Sequence, residues 1–225
     1  SEVIQNFSSR TFGQEWVDVP DGRYVSLCFD DFPQSAVHTA APMIEARGWR
    51  ATWYACGDLM GDITESYGQM YTAEDLKTLV DAGHDIGCHT YSHFNIQTLS
   101  KADMAEDCAL LAKQFPALRG VYPGTHQGQM DLRMLLATAL QDDKGGIARA
   151  MDELDGMQQD RSWLILFTHD IREQHSPWGV SPSDYEKLLD AISNSGAEVV
   201  TVADMIDKLQ LADADDDAGA TLKRA

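Results

Sequence analysis

Residues 23–56, RYVSLCFDDFPQSAVHTAAPMIEARGWRATWYAC, decide the fold class, because they contain the patterns of a strand, a helix and a second strand in succession. The apolar run at 23–29 predicts a buried strand, and 35–48 predicts a helix that ends at Gly48. Residues 49–56 predict the next strand. Two strands that are joined by a helix are expected to lie parallel in one sheet.

The same alternation continues outward from this unit. Further elements are predicted as helices at 72–83, 100–115, 131–140, 146–154 and 181–196, as strands at 84–88, 118–123 and 162–169, and as a last strand and helix within 197–211. The pattern predicts an α/β fold with a parallel sheet covered by helices, in one domain over residues 1–210. The acidic stretch 211–225 has no aromatic residue and is expected to be a disordered tail.

The composition excludes some classes of partner. The chain has 225 residues and 17 Lys plus Arg against 36 Asp plus Glu, a formal net charge of −19, so nucleic acid would be repelled. No apolar run is long enough to span a membrane. The N-terminal residues lack the pattern of a signal peptide, which favours a cytoplasmic location, while Ser1 in place of Met leaves open an exported form whose leader was removed.

Polar side chains follow three of the predicted strands. Asp30 and Asp31 follow the first strand, His89 and His93 follow the strand at 84–88, and His169, with Asp170 after it, ends the strand at 162–169. The carboxyl ends of parallel strands meet at one edge of a sheet, so these side chains are expected to lie together. Each pair alone has an ordinary structural explanation, such as a turn, a helix cap or a buried histidine, and only their joint occurrence favours a site.

These residue types complement one another chemically. Two neutral imidazoles and one carboxylate can bind a divalent ion and leave positions open for water and substrate. A second carboxylate can accept a proton from that water, and a histidine across the site can protonate a leaving amine. The set therefore predicts metal-assisted hydrolysis of an amide.

The motifs FDD at 29–31, HTYSH at 89–93 and LFTH at 166–169 resemble those of the polysaccharide deacetylase (NodB-homology) family, which is carbohydrate esterase family 4, and in particular its bacterial exopolysaccharide N-deacetylases. The resemblance extends over roughly residues 20–210. It implies a distorted, here shortened, (β/α) barrel that removes acetyl groups from glycans with one divalent ion. Zn²⁺ is the expected ion, and Co²⁺, Ni²⁺ and Mn²⁺ also suit the ligands.

The resemblance also implies roles for single residues. Asp30 corresponds to the general base and His169 to the general acid, while the metal ligands are Asp31, His89 and His93. Leu166 is expected to line the acetyl pocket. Trp163 is expected to form an aromatic wall of the substrate site, with Asp160 as its partner.

Two features depart from the family pattern. Phe32 and Pro33 follow the first motif where the family usually has Gly, and are expected to form a bulky lip. The third motif, Arg-x-Pro-Tyr, has RGVYPG at 119–124 as its nearest equivalent. Either Arg119 orients the base and the backbone of Tyr122 helps to bind the oxyanion, or Arg119 belongs to a later segment and the strand of the third motif is missing.

The sequence thus predicts a metal-dependent N-deacetylase that acts on N-acetylhexosamine units of a bacterial (exo)polysaccharide or its precursor. A related hydrolase of small amides and a glycan-binding protein without turnover are the alternatives. The expected partner is an N-acetylated glycan, and the oligomeric state, including a homo-oligomer, stays open.

Overall fold

The computed structural model describes residues 14–89, 116–141 and 145–209. Its main sheet has nine strands, which are β1 (Trp16–Asp18), β2 (Arg23–Asp30), β3 (Thr52–Ala55), β6 (Asp85–Cys88), β7 (His126–Gln127), β8 (Gln129–Asp131), β9 (Thr138–Ala139), β10 (Ser162–Thr168) and β11 (Glu198–Val199). A separate hairpin consists of β4 (Ile63–Thr64) and β5 (Gly68–Gln69).

The helices are α1 (Gln34–Glu45), α2 (Ala73–Asp81), α3 (Gly146–Asp155) and α4 (Pro182–Ser195). A further helix, α5, occupies 202–209, and a short 3-10 turn covers Gly57–Leu59. None of the described helices is both long and apolar enough to cross a bilayer.

The centre of the sheet is the parallel pair β2 and β10, which is in register from Arg23 opposite Ser162 to Phe29 opposite Thr168. Along the sheet the strands follow the order β1-β8-β7-β10-β2-β3-β6, and this path does not return to its start within the described residues. The side of β2 that faces away from β10 is shared by two strands. There β11 pairs with Tyr24 and Val25, while β3 pairs with Cys28–Asp30.

Alternate residues of the two central strands enter two different hydrophobic cores, as the two-residue period of a strand requires. Val25, Leu27 and Leu166 pack on the side covered by the helices. Cys28, Trp163 and Phe167 pack on the opposite side, together with residues of 130–139 and of α5. Both strands are almost entirely buried, which agrees with their uninterrupted apolar sequences.

Local sequence explains where the helices begin and end. Thr72 and Asp75 form a capping box at the start of α2, in which each side chain binds the backbone N–H of the other residue. Ser181 caps α4 by accepting a hydrogen bond from the Asp184 N–H, and Gly196 follows this helix with φ +74°. The predicted α/β class and its mostly parallel sheet are confirmed.

The prediction of a helix at 131–140 is wrong. That segment completes β8, turns, and then forms β9 beside Leu166 and Phe167. Its backbone pairs with the segment before β7, through bonds such as Leu118 N–H to Leu132 O (2.8 Å) and Ala137 N–H to Tyr122 O (2.8 Å). Long-range pairing therefore overrides a composition that favours a helix.

The strand predicted at 118–123 is reduced to one parallel bridge between Arg119 and Leu135. The expected bulky lip is also wrong for Phe32, whose ring is fully buried and stacks on Tyr71 with centroids 4.5 Å apart. Pro33 instead provides the N-cap position of α1. The helix predicted at 100–115 and the tail predicted at 211–225 lie outside the described residues.

Candidate active site

Asp30 ends β2 and is 2% exposed. Nη2 of Arg119 lies 2.6 Å from Oδ1 and 2.7 Å from Oδ2 of this carboxylate, so one guanidinium nitrogen binds both oxygens. The Arg119 side chain is itself 5% exposed. The structure thus brings Arg119 to Asp30, as the first of the two interpretations of the third motif predicts.

Two aromatic rings hold the guanidinium in place. Its central carbon lies 4.5 Å from the ring centroid of Tyr54 and 4.9 Å from that of Phe167. Tyr54 is opposite Asp30 in the β2–β3 register, so the strand order brings it there. Cation–π contacts in a buried environment stabilise a charge that water cannot reach.

The carboxyl group of Asp30 is kept charged by these neighbours. Burial by itself raises the pKa of Asp30, but the charge and hydrogen bonds of Arg119, with a smaller contribution from His89 and His169, outweigh it, so the pKa falls below its usual value. Burial by itself lowers the pKa of Arg119, but the charge and hydrogen bond of Asp30, together with Tyr54 and Cys28, outweigh it, so the pKa is raised. A buried, ionised carboxylate is a suitable proton acceptor.

Asp31 and His89 lie next to each other at the same edge. Asp31 has φ +45°, an unusual conformation for a residue with a side chain, and its N–H donates to Tyr54 O at 3.2 Å. His89 follows β6, and its N–H donates to Ala55 O at 3.0 Å. Nε2 of His89 is 3.6 Å from Oδ2 of Asp31. Burial raises the pKa of Asp31 to about 6, with His89 acting against it and Asp30 adding to it.

This pair fits part of a metal site. Ligand atoms about 2.0–2.2 Å from one tetrahedral ion are separated by roughly 3.5 Å, close to the observed distance between Asp31 and His89. Over the described ranges no group of three His, Cys, Asp or Glu side chains could hold an ion. The third predicted ligand, His93, lies outside the described residues. Asp31 and His89 are therefore the two described donors that could bind a metal.

His169 follows β10, and the β2–β10 register places it at the level of Asp30 on the neighbouring strand. Its N–H donates to Trp178 O at 3.3 Å. The imidazole is parallel to the ring of Tyr67, with centroids 5.7 Å apart and an interplanar angle of 5°. Burial lowers the pKa of His169, while the charge of Asp30 raises it to a smaller extent.

Asp170, directly after His169, is fully buried, and hydrogen bonds from neighbouring residues hold its carboxylate in place. Its carboxylate accepts hydrogen bonds from Arg172 Nε (2.8 Å), Ser176 N–H (2.9 Å) and Ser176 Oγ (2.5 Å). A Cβ on Gly179 would come within 2.2 Å of Asp170 Oδ1, so only glycine leaves room for this arrangement.

Two residues with predicted substrate-contacting roles lie in the hydrophobic cores. Trp163 lies near the start of β10, is fully buried, and donates from Nε1 to Ser26 Oγ at 2.9 Å. Leu166 packs on the helix-covered side of the sheet. Trp163 is six positions before His169, and Leu166 has the opposite strand parity to Phe167 and His169. The predicted aromatic wall and acetyl pocket stay predictions.

Two further predictions concern residues around these strands. Asp160 lies before β10, where its Oδ1 accepts the N–H of Gly22, at the opposite end of the strand from His169. Its predicted partnership with Trp163 at a substrate wall also stays a prediction. The carbonyl of Tyr122 accepts the N–H of Ala137, and the predicted role of its backbone at the oxyanion stays a prediction.

Three aromatic residues at the site were missed from the sequence: Tyr67, Phe167 and Trp178. Phe167 could have been found from strand parity, since it lies two positions before His169 on a predicted strand. Tyr67 and Trp178 come from connecting segments, and no periodic pattern links either residue to the strand ends.

Comparison with known proteins finds deacetylases of polysaccharides, in agreement with the motifs. The family model described as polysaccharide deacetylase matches residues 18–121. A chitin deacetylase of Pestalotiopsis sp. is 27% identical over 115 residues, which cover 47% of this chain and 36% of that protein. A probable peptidoglycan-N-acetylglucosamine deacetylase of Arthroderma benhamiae is 23% identical over 203 residues, or 81% of this chain and 44% of that protein. The chain therefore spans less than half the length of these curated relatives.

The fold also matches a solved structure. The peptidoglycan deacetylase PdaC from Bacillus subtilis superimposes with a TM-score of 0.50 at 16% identity, covering 87% of this chain and 95% of that one. At this identity the likeness concerns the fold. The sequence match over residues 18–121 and the shared fold both agree with the resemblance of this chain to the polysaccharide deacetylase (NodB-homology) family, carbohydrate esterase family 4.

Proposed function

We propose that this chain is a metal-dependent N-deacetylase that removes acetyl groups from N-acetylhexosamine units of a bacterial (exo)polysaccharide or its precursor. The observation that supports it most directly is the buried Asp30–Arg119 pair. This pair lies at the edge of the sheet where the strands end, together with Asp31, His89 and His169. A buried carboxylate that is held ionised beside the other candidate site residues is suited to accepting a proton.

The residues divide the reaction between them. Asp30, held ionised by Arg119, accepts a proton from the attacking water. His169 is at the same level of the sheet and protonates the departing amine nitrogen. When bound by Asp31, His89 and His93, a divalent ion, with Zn²⁺ expected first, supplies polarisation of the acetyl carbonyl and a water of lowered pKa.

Acetate release from N-acetylglucosamine oligomers tests this proposal. The purified protein is stripped of metal, and release is measured before and after Zn²⁺ is restored. We expect release only with the metal. Asp30→Asn should lower the rate by at least about a hundredfold at unchanged metal content, because general-base catalysis contributes that much or more. Asp155→Asn, an exposed carboxylate at the end of α3, is the control and should retain the wild-type rate.

Other outcomes would favour the other hypotheses. Hydrolysis of small cyclic or formylated amides, with no release from oligomers, would replace the glycan by a small-amide substrate. Binding of the oligomers with bound metal and no acetate would indicate a glycan-binding protein. Undiminished release by Asp30→Asn would remove Asp30 from the role of base.

A further inference from the structure

We infer that Arg172 is a positioning residue, which holds the ring of Tyr67 against the imidazole of His169. The inference deepens the proposed function, on which it rests for the role of His169 as general acid. It is drawn from one continuous chain of contacts that runs from a buried carboxylate to an aromatic stack.

The first contact fixes the orientation of the guanidinium. Asp170 is fully buried, and Ser176 holds both of its carboxylate oxygens, through its N–H at 2.9 Å and its Oγ at 2.5 Å. The Asp170 carbonyl also accepts the N–H of Val180 at 2.9 Å. Arg172 Nε donates to this immobilised carboxylate at 2.8 Å, so the plane of the guanidinium is set from inside the protein.

The second contact joins this guanidinium to a distant hairpin. Arg172 Nη1 donates to Tyr67 O at 3.1 Å, and Nη2 donates to Ser66 O at 2.6 Å. The β4–β5 hairpin pairs with itself, and Ile63 on it is 78% exposed. In the described structure these two bonds join the hairpin tip to the segment after β10. A single guanidinium thus spans the buried Asp170 and the backbone of an otherwise exposed turn.

The third contact is the aromatic stack itself. The rings of Tyr67 and His169 are parallel within 5° at a centroid distance of 5.7 Å, which lies in the range of offset stacking. Trp178 approaches both rings at an angle, with centroids 5.8 Å from Tyr67 and 6.4 Å from His169. The buried Nδ1 of His169 makes no hydrogen bond to any described residue. Ring packing, rather than a hydrogen bond at Nδ1, therefore sets the plane of this imidazole within the described structure.

The plane matters because a general acid must direct its N–H at the leaving nitrogen. Small errors in the position of a catalytic group cost large factors in rate. Arg172 binds the backbone of Tyr67, and the ring of Tyr67 makes the contact with His169. The inference therefore requires the ring of Tyr67 and does not require its hydroxyl. This distinction can be tested by substitution.

The experiment compares variants at both ends of the chain of contacts. Tyr67→Leu removes the ring, Tyr67→Phe retains it, and Arg172→Lys keeps a charge near Asp170 but cannot reach two carbonyls as well. Ile63→Ala, on the same hairpin, is the matched control. Steady-state acetate release gives kcat and KM, thermal unfolding reports folding, and ¹H–¹³C NMR of the His169 ring, assigned with His169→Gln, reports the stack independently of turnover.

We expect Tyr67→Leu and Arg172→Lys to lower kcat by about tenfold or more with KM changed less than about twofold, since part of the contribution of the acid is lost. The His169 ring signals should shift in both. Tyr67→Phe and Ile63→Ala should stay within about twofold of the wild type and leave these signals in place.

Three results would overturn the inference. They are an unchanged kcat in folded Tyr67→Leu, an equal loss in Tyr67→Phe, which would assign the effect to the hydroxyl, and unmoved His169 signals in Tyr67→Leu or Arg172→Lys. If the wild-type protein releases no acetate, the proposed function fails by itself. The NMR comparison then still decides whether Arg172 holds Tyr67 on His169.

Discussion

Asp30 and Arg119 are 89 positions apart in the sequence and share a buried ion pair. Removing one member of such a pair leaves an uncompensated buried charge. We expect Arg119→Leu and Asp30→Asn each to lower the free energy of unfolding, the former by about 3 kcal/mol. The double variant should lose less than the sum of the two and remain inactive. Urea unfolding of all four proteins measures this coupling, and strictly additive losses would contradict it.

His126 gives a second prediction for a single residue. Its ring is buried beside Trp163, and Nε2 accepts the N–H of Leu136 at 3.0 Å, which requires a neutral imidazole. Burial lowers the pKa of His126 from 6.5 to about 4. The unfolded chain therefore takes up a proton at a higher pH than the folded chain does. The stabilisation is complete above pH 6.5 and is lost as the pH falls towards 4.

Over that pH range the wild-type protein should lose about 3 kcal/mol of stability through this group. His126→Gln should lose less, because its side chain can accept the same N–H without titrating. Urea unfolding at several pH values tests the difference. Equal pH dependence in His126→Gln and the wild type would refute the prediction.

Among the elements, the start of α2 concentrates several contacts on one carboxylate. Asp75 completes the capping box with Thr72 and also accepts bonds at 2.9 Å from Gln34 Nε2, with His38 Nε2 at the same distance. Both of these partners belong to α1, so the cap also links two helices.

Thr72→Ala should cost about 1 kcal/mol, the usual value of a helix cap. Asp75→Ala should cost about 2 kcal/mol, because it also removes the link to α1. Glu74→Ala in the same helical turn is the control and should stay within about 0.5 kcal/mol of the wild type. Chemical denaturation measures all three. A cost of Asp75→Ala no larger than that of Thr72→Ala would show that the contacts to α1 contribute nothing.

Elements with a local signal were predictable from the sequence, and elements that depend on distant pairing were not. The strand at 23–29 and the helices at 72–83 and 181–196 carry their own periodicity, caps and stops, and the structure has them nearly as predicted. The segment 131–140 has a helical composition but pairs with 118–122, which no local pattern specifies.

The same division applies to the candidate site. Asp30, Asp31, His89 and His169 could be grouped because each follows a strand. The motif alone does not specify which face of β10 a residue occupies, and the structure places Leu166 and Trp163 on opposite faces. Tyr67 could not be found, because its position depends on Arg172, which is more than a hundred residues away along the chain.

For the molecule as a whole, the formal net charge is −19, which leads to a prediction about product binding. The proposed reaction converts a neutral acetamide into an amine that is protonated at neutral pH, and an acidic protein attracts such a product. We expect glucosamine oligomers to inhibit acetate release, and this inhibition to weaken several-fold between about 50 and 500 mM NaCl as charges are screened. The KM for the neutral N-acetylated oligomer is the control and should change little. Inhibition that does not depend on salt would indicate that the field of the protein has no part in product binding.

Because two different strands pair with the two halves of β2 on one side, we expect these halves to unfold locally in different events. Tyr24 and Val25 depend on β11 for their second neighbour, whereas Cys28–Asp30 depend on β3. In hydrogen exchange, the two halves of this one strand should therefore belong to different cooperative units. Detachment of β11 and α5 would expose amides at the first half to deuterium, while those beside Asp30 remain protected by β3.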